Sequence, residues 1–82
     1  LPSIKIHKEE IIKKINIVDL VISSKLLTSK GEVRRAINNR GIKVNNETIE
    51  SDKENISTNN FNNENYLKLS HGKKKHVIIK MI

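Results

Sequence analysis

Eighty-two residues with Lys+Arg 16 against Asp+Glu 9 carry a formal net charge of +7 and a sequence pI near 9.9. That is one small domain with one modest core, biased toward a polyanionic partner: nucleic acid first, an anionic membrane surface second. Aromatic residues are 2 % of the chain, with Tyr66 and Phe61 and no Trp, so base stacking on aromatic platforms is not the main grip; no cysteine means no disulfide framework and no thiolate zinc site.

No apolar run reaches membrane-span length and no signal peptide is visible, so the expected setting is the cytoplasm, with no membrane partner. The chain opens on Leu1 rather than Met, and the expectation is a piece of a longer protein. Its richness in Ile, Lys and Asn suggests an AT-rich genome.

Leu1 to His7 alternates Ile4 and Ile6 with Lys5 and His7 and predicts a short lead-in strand. Lys8 to Ile15 predicts a short helical turn with Ile11, Ile12 and Ile15 facing inward. Asn16 is a candidate N-cap for a second helix, with Asp19 at its third position near the positive end of the dipole. Ile17, Leu20, Val21 and Ser24 follow one face of that helix, and Leu26 and Leu27 close it against the next.

The next helix is the most informative stretch. Ser29 and Glu32 have capping-box spacing, Val33, Ala36 and Ile37 form an apolar stripe, and Lys30, Arg34 and Asn38 recur every four residues on a neighbouring face beside Arg35. The spacing predicts a helix from Ser29 to near Arg40, with Gly41 as its left-handed C′ residue. A helix with cations on one side and a core stripe on the other suits a phosphate-binding surface, and a solvated basic face is the plainer reading.

Ile42-Lys43-Val44 then predicts a strand, Asn45-Asn46 a tight hairpin turn, and Thr48-Ile49 the returning arm. Glu50 to Asn65 reads as a long, partly mobile Asn-rich connection tacked down by Ile56 and Phe61. Tyr66–Leu69 and His76–Ile82 predict two more strands, joined by Ser70-His71-Gly72 and the run Lys73-Lys74-Lys75. A lysine run in a turn is ordinarily solvated; beside the basic helix it enlarges one positive footprint. The resulting fold class is α+β, with helices covering one face of a small sheet.

No catalytic constellation emerges. His7, His71 and His76 lack ligand spacing, so no metal site is expected, and His71 and His76 read as surface residues near phosphate. Ser23, Ser24, Thr28 and Ser29 read as helix-end residues rather than nucleophiles, and Gly31, Gly41 and Gly72 form no phosphate-cradling motif.

Residues 16–49, NIVDLVISSKLLTSKGEVRRAINNRGIKVNNETI, resemble the alpha-L RNA-binding motif first described in a ribosomal small-subunit protein: a helix, a leucine-containing turn, Ser-Lys-Ser-Glu-Ala-Arg-Arg, a Gly-Gly-Val step, then Val-Asn-Gly. Ser29, Lys30, Glu32, Arg34, Arg35, Gly41, Val44 and Asn45 stand in the matching places. The Asn-Ile-Val-Asp-Leu opening at 16–20, the Leu-Pro-Ser-Ile-Lys-Ile lead-in and the ending Leu-x-x-Gly-Lys-Lys-Lys-His-Val-Ile-Ile-Lys at 69–80 are similar to the carboxy-terminal domain of bacterial tyrosyl-tRNA synthetases. Gly31 and Val33 depart from the usual serine and alanine, Lys25 and Arg40 stand where glycines are common, and Asn46 replaces the turn glycine. A left-handed Lys25 costs on the order of 1 kcal/mol.

The resemblance implies an alpha-L fold, two main helices on a small, mostly antiparallel sheet, and one RNA-binding domain over 1–82: a core at about 16–49, strands in 66–82 and the connection 50–65. It implies a non-catalytic module that positions tRNA(Tyr), by its long variable arm and adjacent stem, for ATP-dependent tyrosylation in a separate catalytic domain. ATP is thus expected in the parent enzyme and no cofactor in this domain. The parent is expected to be a homodimer through its catalytic domain, and the isolated domain a monomer. The RNA-binding residues carried over are Ser29, Lys30, Arg34, Arg35, Arg40, Lys43, Asn45, Lys73, Lys74 and Lys75. The alternatives are a free-standing alpha-L module on ribosomal RNA, a DNA-reading helix-turn-helix, and a domain that docks on its parent enzyme.

Overall fold

The computed structural model describes residues 2–82; Leu1, the first residue of the expected lead-in strand, lies outside them. Strand β1 (Ser3–Ile6) is followed by α1 (Lys8–Ile12), β2 (Ile15–Asn16), α2 (Ile17–Ser24), α3 (Lys30–Asn38), β3 (Ile42–Val44), β4 (Glu47–Thr48), β5 (Asn55–Ile56), a 3-10 turn (Thr58–Asn60), β6 (Tyr66–His71) and β7 (Lys75–Met81). The main sheet has the order β1-β7-β6-β3-β4, antiparallel except for the parallel β1–β7 pair, and β2 and β5 form a separate ribbon. The α+β reading with a mostly antiparallel sheet holds.

Period-2 alternation decides which side of the sheet is dry. Ile6, Ile42, Val44, Leu67, Leu69, Val77, Ile79 and Met81 are buried on one side and meet the apolar stripes of α2 and α3 in one continuous core. Val33, Ala36 and Ile37 are the buried residues of α3, as the helical period requires. The other side of the sheet carries Lys5, Lys43, Lys68 and Lys80, with Tyr66, Ile78, Ser70 and His76 between them.

The helix starts follow their caps. Asn16 Oδ1 accepts from Val18 N at 2.8 Å and Ser29 Oγ accepts from Glu32 N at 3.4 Å, each at the expected N-cap. Buried Ser24 ends α2 by donating to the Val21 carbonyl at 2.6 Å and accepting from Leu26 N at 3.2 Å. Lys25 then adopts φ 63°, in the left-handed region where its Cβ crowds the following carbonyl. Asn45 and Asn46 take φ 52° and 71°, the two positive values a tight hairpin turn needs.

Several expectations are corrected. Helix α1 stops at Ile12, and Ile15 belongs to β2. In so short a helix only Ile11 reaches the core, whereas Ile12, 100° further round, is 61 % exposed. Helix α3 ends at Asn38, and the left-handed residue after it is Arg40 (φ 57°), not Gly41. Arg40 N donates to the Ile37 carbonyl at 2.9 Å and Gly41 N to the Ala36 carbonyl at 2.7 Å, which is the Schellman pattern shifted one residue upstream of the glycine. Gly41 sits close to the helix it follows: a Cβ there would be 3.3 Å from the Ala36 carbonyl oxygen, a tight contact, and 3.5 Å from His71 Cδ2, an ordinary one. Segment 50–65 contains β5 and the 3-10 turn, although its expected anchors Ile56 and Phe61 are indeed buried. Strands β6 and β7 extend further into the hairpin than expected, leaving Gly72 at φ 66° in its turn.

Lys25→Gly, which removes the left-handed penalty at the end of α2, should raise unfolding free energy by up to about 1 kcal/mol. Thermal unfolding at fixed salt checks it; a midpoint unchanged or lowered contradicts a strained Lys25.

Candidate nucleic-acid interface

Helix α3 buries one stripe, so its remaining faces are set by the 100° step. Arg35 lies opposite the stripe and is exposed, in the last turn where a cation complements the dipole. Lys30 and Arg34 lie on the flank toward α2 and the 50–54 loop. There Lys30 Nζ stands 3.9 Å from Asp19 Oδ1, and Arg34 Nε stands 3.4 Å from Asp52 Oδ2. Both pairs are well exposed, with side chains 64 %/57 % and 57 %/39 % accessible, so each contributes at most about 1 kcal/mol and yields readily to another anion.

An open cleft of about 340 Å³ lies between these elements, lined by Asn16, Asp19, Lys30, Arg34, Asp52 and Lys53 among others. Asn16 builds it from below. Its Oδ1 caps α2 while its Nδ2 donates to the Asp52 carbonyl at 2.9 Å, and Ile17 N donates to the Glu54 carbonyl at 2.9 Å. The loop is therefore pinned to the start of α2, with Asp52 beside Arg34. A larger groove of about 580 Å³, at His7, Lys8, Glu9, Ile12 and Ile82, shares no residue with the basic row.

The structure joins the lysine turn to the far end of α3. Gly72 N donates to the Gly41 carbonyl at 2.8 Å, which sets the turn carrying Lys73 and Lys74 against the step where Arg40 is exposed. Lys75 starts β7 opposite His71. Lys30, Arg34 and Arg35 are thus carried on α3, with Arg40 in the left-handed step just past its end and the lysine turn bonded beside that step.

Two expected site residues are placed elsewhere. Lys43 alternates with buried Ile42 and Val44, so its side chain leaves the sheet on the side away from α3. Asn45 is committed internally: its Oδ1 accepts from Lys68 N at 3.0 Å and its Nδ2 donates to the Asn60 carbonyl. Ser29 caps α3 as expected; the structure shows its arm of the capping box, without a bond from Glu32 back to Ser29 N among the described residues. His76 does not face outward to phosphate, because Nδ1 meets Ser70 Oγ at 2.9 Å and Nε2 the Lys73 carbonyl at 3.1 Å, within the hairpin. His71 is half-buried, with Nδ1 unpartnered beneath the surface. Sequence reasoning missed Asp52 and Lys53 as cleft residues. ST-turn chemistry in Ser51-Asp52-Lys53 was the available signal for an ordered loop, shown by Lys53 N donating to Ser51 Oγ at 3.1 Å.

Among the described residues no group of three or more His, Cys, Asp or Glu side chains could hold a metal ion, and no helix is long and apolar enough to cross a membrane. What remains is a helix-borne cationic row, a mixed-charge cleft and a lysine turn on an α+β frame: the makings of an anion-binding surface.

Residues 1–79 match the family of tyrosine–tRNA ligase SYY-like C-terminal domains. The chain belongs to that family. It is 44 % identical over 82 residues to a tyrosine–tRNA ligase of Pelagibacter ubique, covering 100 % of this chain and 20 % of the relative. A tyrosine–tRNA ligase of Bradyrhizobium diazoefficiens is 36 % identical over 80 residues (98 % of this chain, 19 % of the relative), and one of Rickettsia massiliae 33 % over 81 (99 % and 20 %). The chain spans about a fifth of the length of these relatives.

Asn45→Ala should lower unfolding free energy by about 2 kcal/mol, combining a left-handed penalty with an unpaired Lys68 N–H. Arg34→Ala with Arg35→Ala should stay within about 0.5 kcal/mol per site of the parent chain. Urea denaturation of the two variants side by side distinguishes the structural asparagine from the exposed cations.

Proposed function

We propose that this domain binds tRNA(Tyr) and positions it, through the long variable arm and adjacent stem, for a tyrosine–tRNA ligase whose ATP-dependent chemistry resides outside these 82 residues. The observation that carries this reading is the joining of α3 to the lysine turn. Lys30, Arg34 and Arg35 on one helix, Arg40 just past its end, and Lys73 and Lys74 in the turn bonded to Gly41 form the cationic footprint of this reading, on a domain of a tyrosine–tRNA ligase family. Cations in a row on a rigid helix contact phosphates and fix orientation. A-form RNA hides its major-groove edges, so recognition through backbone and shape suits a surface poor in aromatics. Lys75 and the Ser29 end of α3 extend the same footprint. The domain carries out no chemical step; its contribution to tyrosylation is affinity and alignment, with ATP and tyrosine handled by the rest of a homodimeric, cytoplasmic ligase.

Arg34→Ala with Arg35→Ala should weaken tRNA(Tyr) binding by tenfold or more at physiological salt. In the unaltered chain, log affinity should fall against log salt by about 0.7–0.9 per phosphate contacted. Filter binding over a salt series checks both, with ribosomal RNA fragments as competitors; unchanged affinity of the double variant contradicts the assignment of α3.

Asp52 competes with RNA for Arg34. Asp52→Asn removes the internal anion and should raise tRNA affinity twofold to fivefold, the range of an exposed ion pair. The same titration reads it, and a loss of affinity would show that Asp52 instead orients Arg34 for RNA.

A further inference from the structure

The side of the sheet away from the core holds a second cationic surface that α3 does not account for. Its positions are fixed by register. Lys5 on β1 is the partner of Lys80 on β7, Lys80 the partner of Tyr66 on β6, Lys68 lies two residues along from Tyr66, and Lys43 on β3 is the partner of Ser70. Lys80, Lys68 and Lys43 are therefore successive diagonal neighbours across three strands, in steps of about 7–8 Å. The paired positions on this side of β1, β7, β6 and β3 include no Asp or Glu, and among the described residues none of these lysines is in a salt bridge. Lys80 Nζ instead lies 5.5 Å from the centroid of the half-buried Tyr66 ring.

Two ordinary explanations fall short. Lysines on an edge strand discourage edge-to-edge pairing, which covers Lys5; Lys80 and Lys68 sit on the interior strands β7 and β6, where no edge is open. Solvation alone does not favour Lys5 directly opposite Lys80, because like charges at paired positions are destabilising. A bound polyanion removes that cost. A membrane surface is the weaker match, because between the lysines the face carries only the half-exposed Ile78, and the exposed Ile82 lies past the end of β7, in the groove with His7, Glu9 and Ile12.

We propose that this open sheet face, through Lys5, Lys80, Lys68 and Lys43, holds a second stretch of RNA backbone, separate from the stretch held by α3. The lysine stems are flexible and their ammonium groups act as point charges, so a diagonal row meets successive phosphates of one strand without reading bases. The Tyr66 ring, the only tyrosine in the chain, lies at one end of the row and offers a face to a base or sugar. Lys43, placed by its strand away from α3, belongs to this surface. The proposal rests on the tRNA-binding reading above and extends it to the opposite side of the molecule.

The test is Lys68→Gln with Lys80→Gln in the 82-residue chain, compared with Arg34→Ala/Arg35→Ala and with Lys68→Arg/Lys80→Arg, titrated with tRNA(Tyr) over a salt series. Loss of two phosphate contacts should reduce the salt slope by about 1.4–1.8 and weaken binding roughly tenfold, with the arginine pair restoring both. Combined with the α3 substitutions, the losses should multiply, as for independent contacts. A glutamine pair with the slope and affinity of the unaltered chain overturns the proposal while α3 stands. So does binding to vesicles containing anionic lipid that the glutamine pair abolishes while RNA binding is untouched. Failure of the unaltered chain to bind tRNA overturns both readings.

Discussion

The joint at Arg40 and Gly41 decides how the end of α3, the start of the sheet and the lysine turn are set against one another. Two hydrogen bonds close α3 onto its own last turn, from Arg40 N to Ile37 and from Gly41 N to Ala36, and the Gly41 carbonyl is then taken by Gly72 N. Gly41 thus closes the last turn of α3 through its N–H, leads into β3 and anchors the lysine turn through its carbonyl. The fit is close on the helix side: a methyl group at Gly41 would press on the Ala36 carbonyl and make only ordinary contact with the His71 ring. The left-handed turn falls on Arg40, where an arginine accepts conformational strain and gains an exposed position between helix and turn.

A second constraint works at the opposite end of α3. Asn16 uses both ends of its amide, one to cap α2 and one to hold the Asp52 carbonyl, so a capping residue also fixes the loop that faces Arg34. The carboxylates of Asp19 and Asp52 then stand beside Lys30 and Arg34 at ion-pair distance but in solvent. Exposed pairs of this kind hold cations in place at little energetic cost and give way to a phosphate that offers better geometry. The domain therefore presents two electrostatic characters: a helix face tempered by acids, and a sheet face with lysines and none.

Much of this was legible in residue order. Asn16, Ser29 and the Asn45-Asn46 turn announce themselves because their backbone chemistry is local: each needs only neighbours within three residues. The buried stripe of α3 and the alternation of β3, β6 and β7 follow from periodicity alone. Segment 50–65 was less legible, because the groups that order it are distant in sequence: β2 for β5, Asn16 for Asp52, Asn45 for Asn60. Asn45 shows the same limit. Its turn role is local, but Lys68 and Asn60, which occupy its amide, lie 23 and 15 residues away.

The sequence by itself determined the charge, the helix starts, the faces of α3 and the family resemblance that residues 1–79 bear out. Each rests on composition or on spacing along one element. Only the tertiary structure decided which elements each cation lies beside. Lys73 and Lys74 reach α3 through the Gly41–Gly72 bond, while Lys43 leaves it because strand alternation and register send its side chain to the other side of the sheet. Register couples strands that are far apart in the chain, and so a charge pattern read one element at a time cannot assign a lysine to its surface.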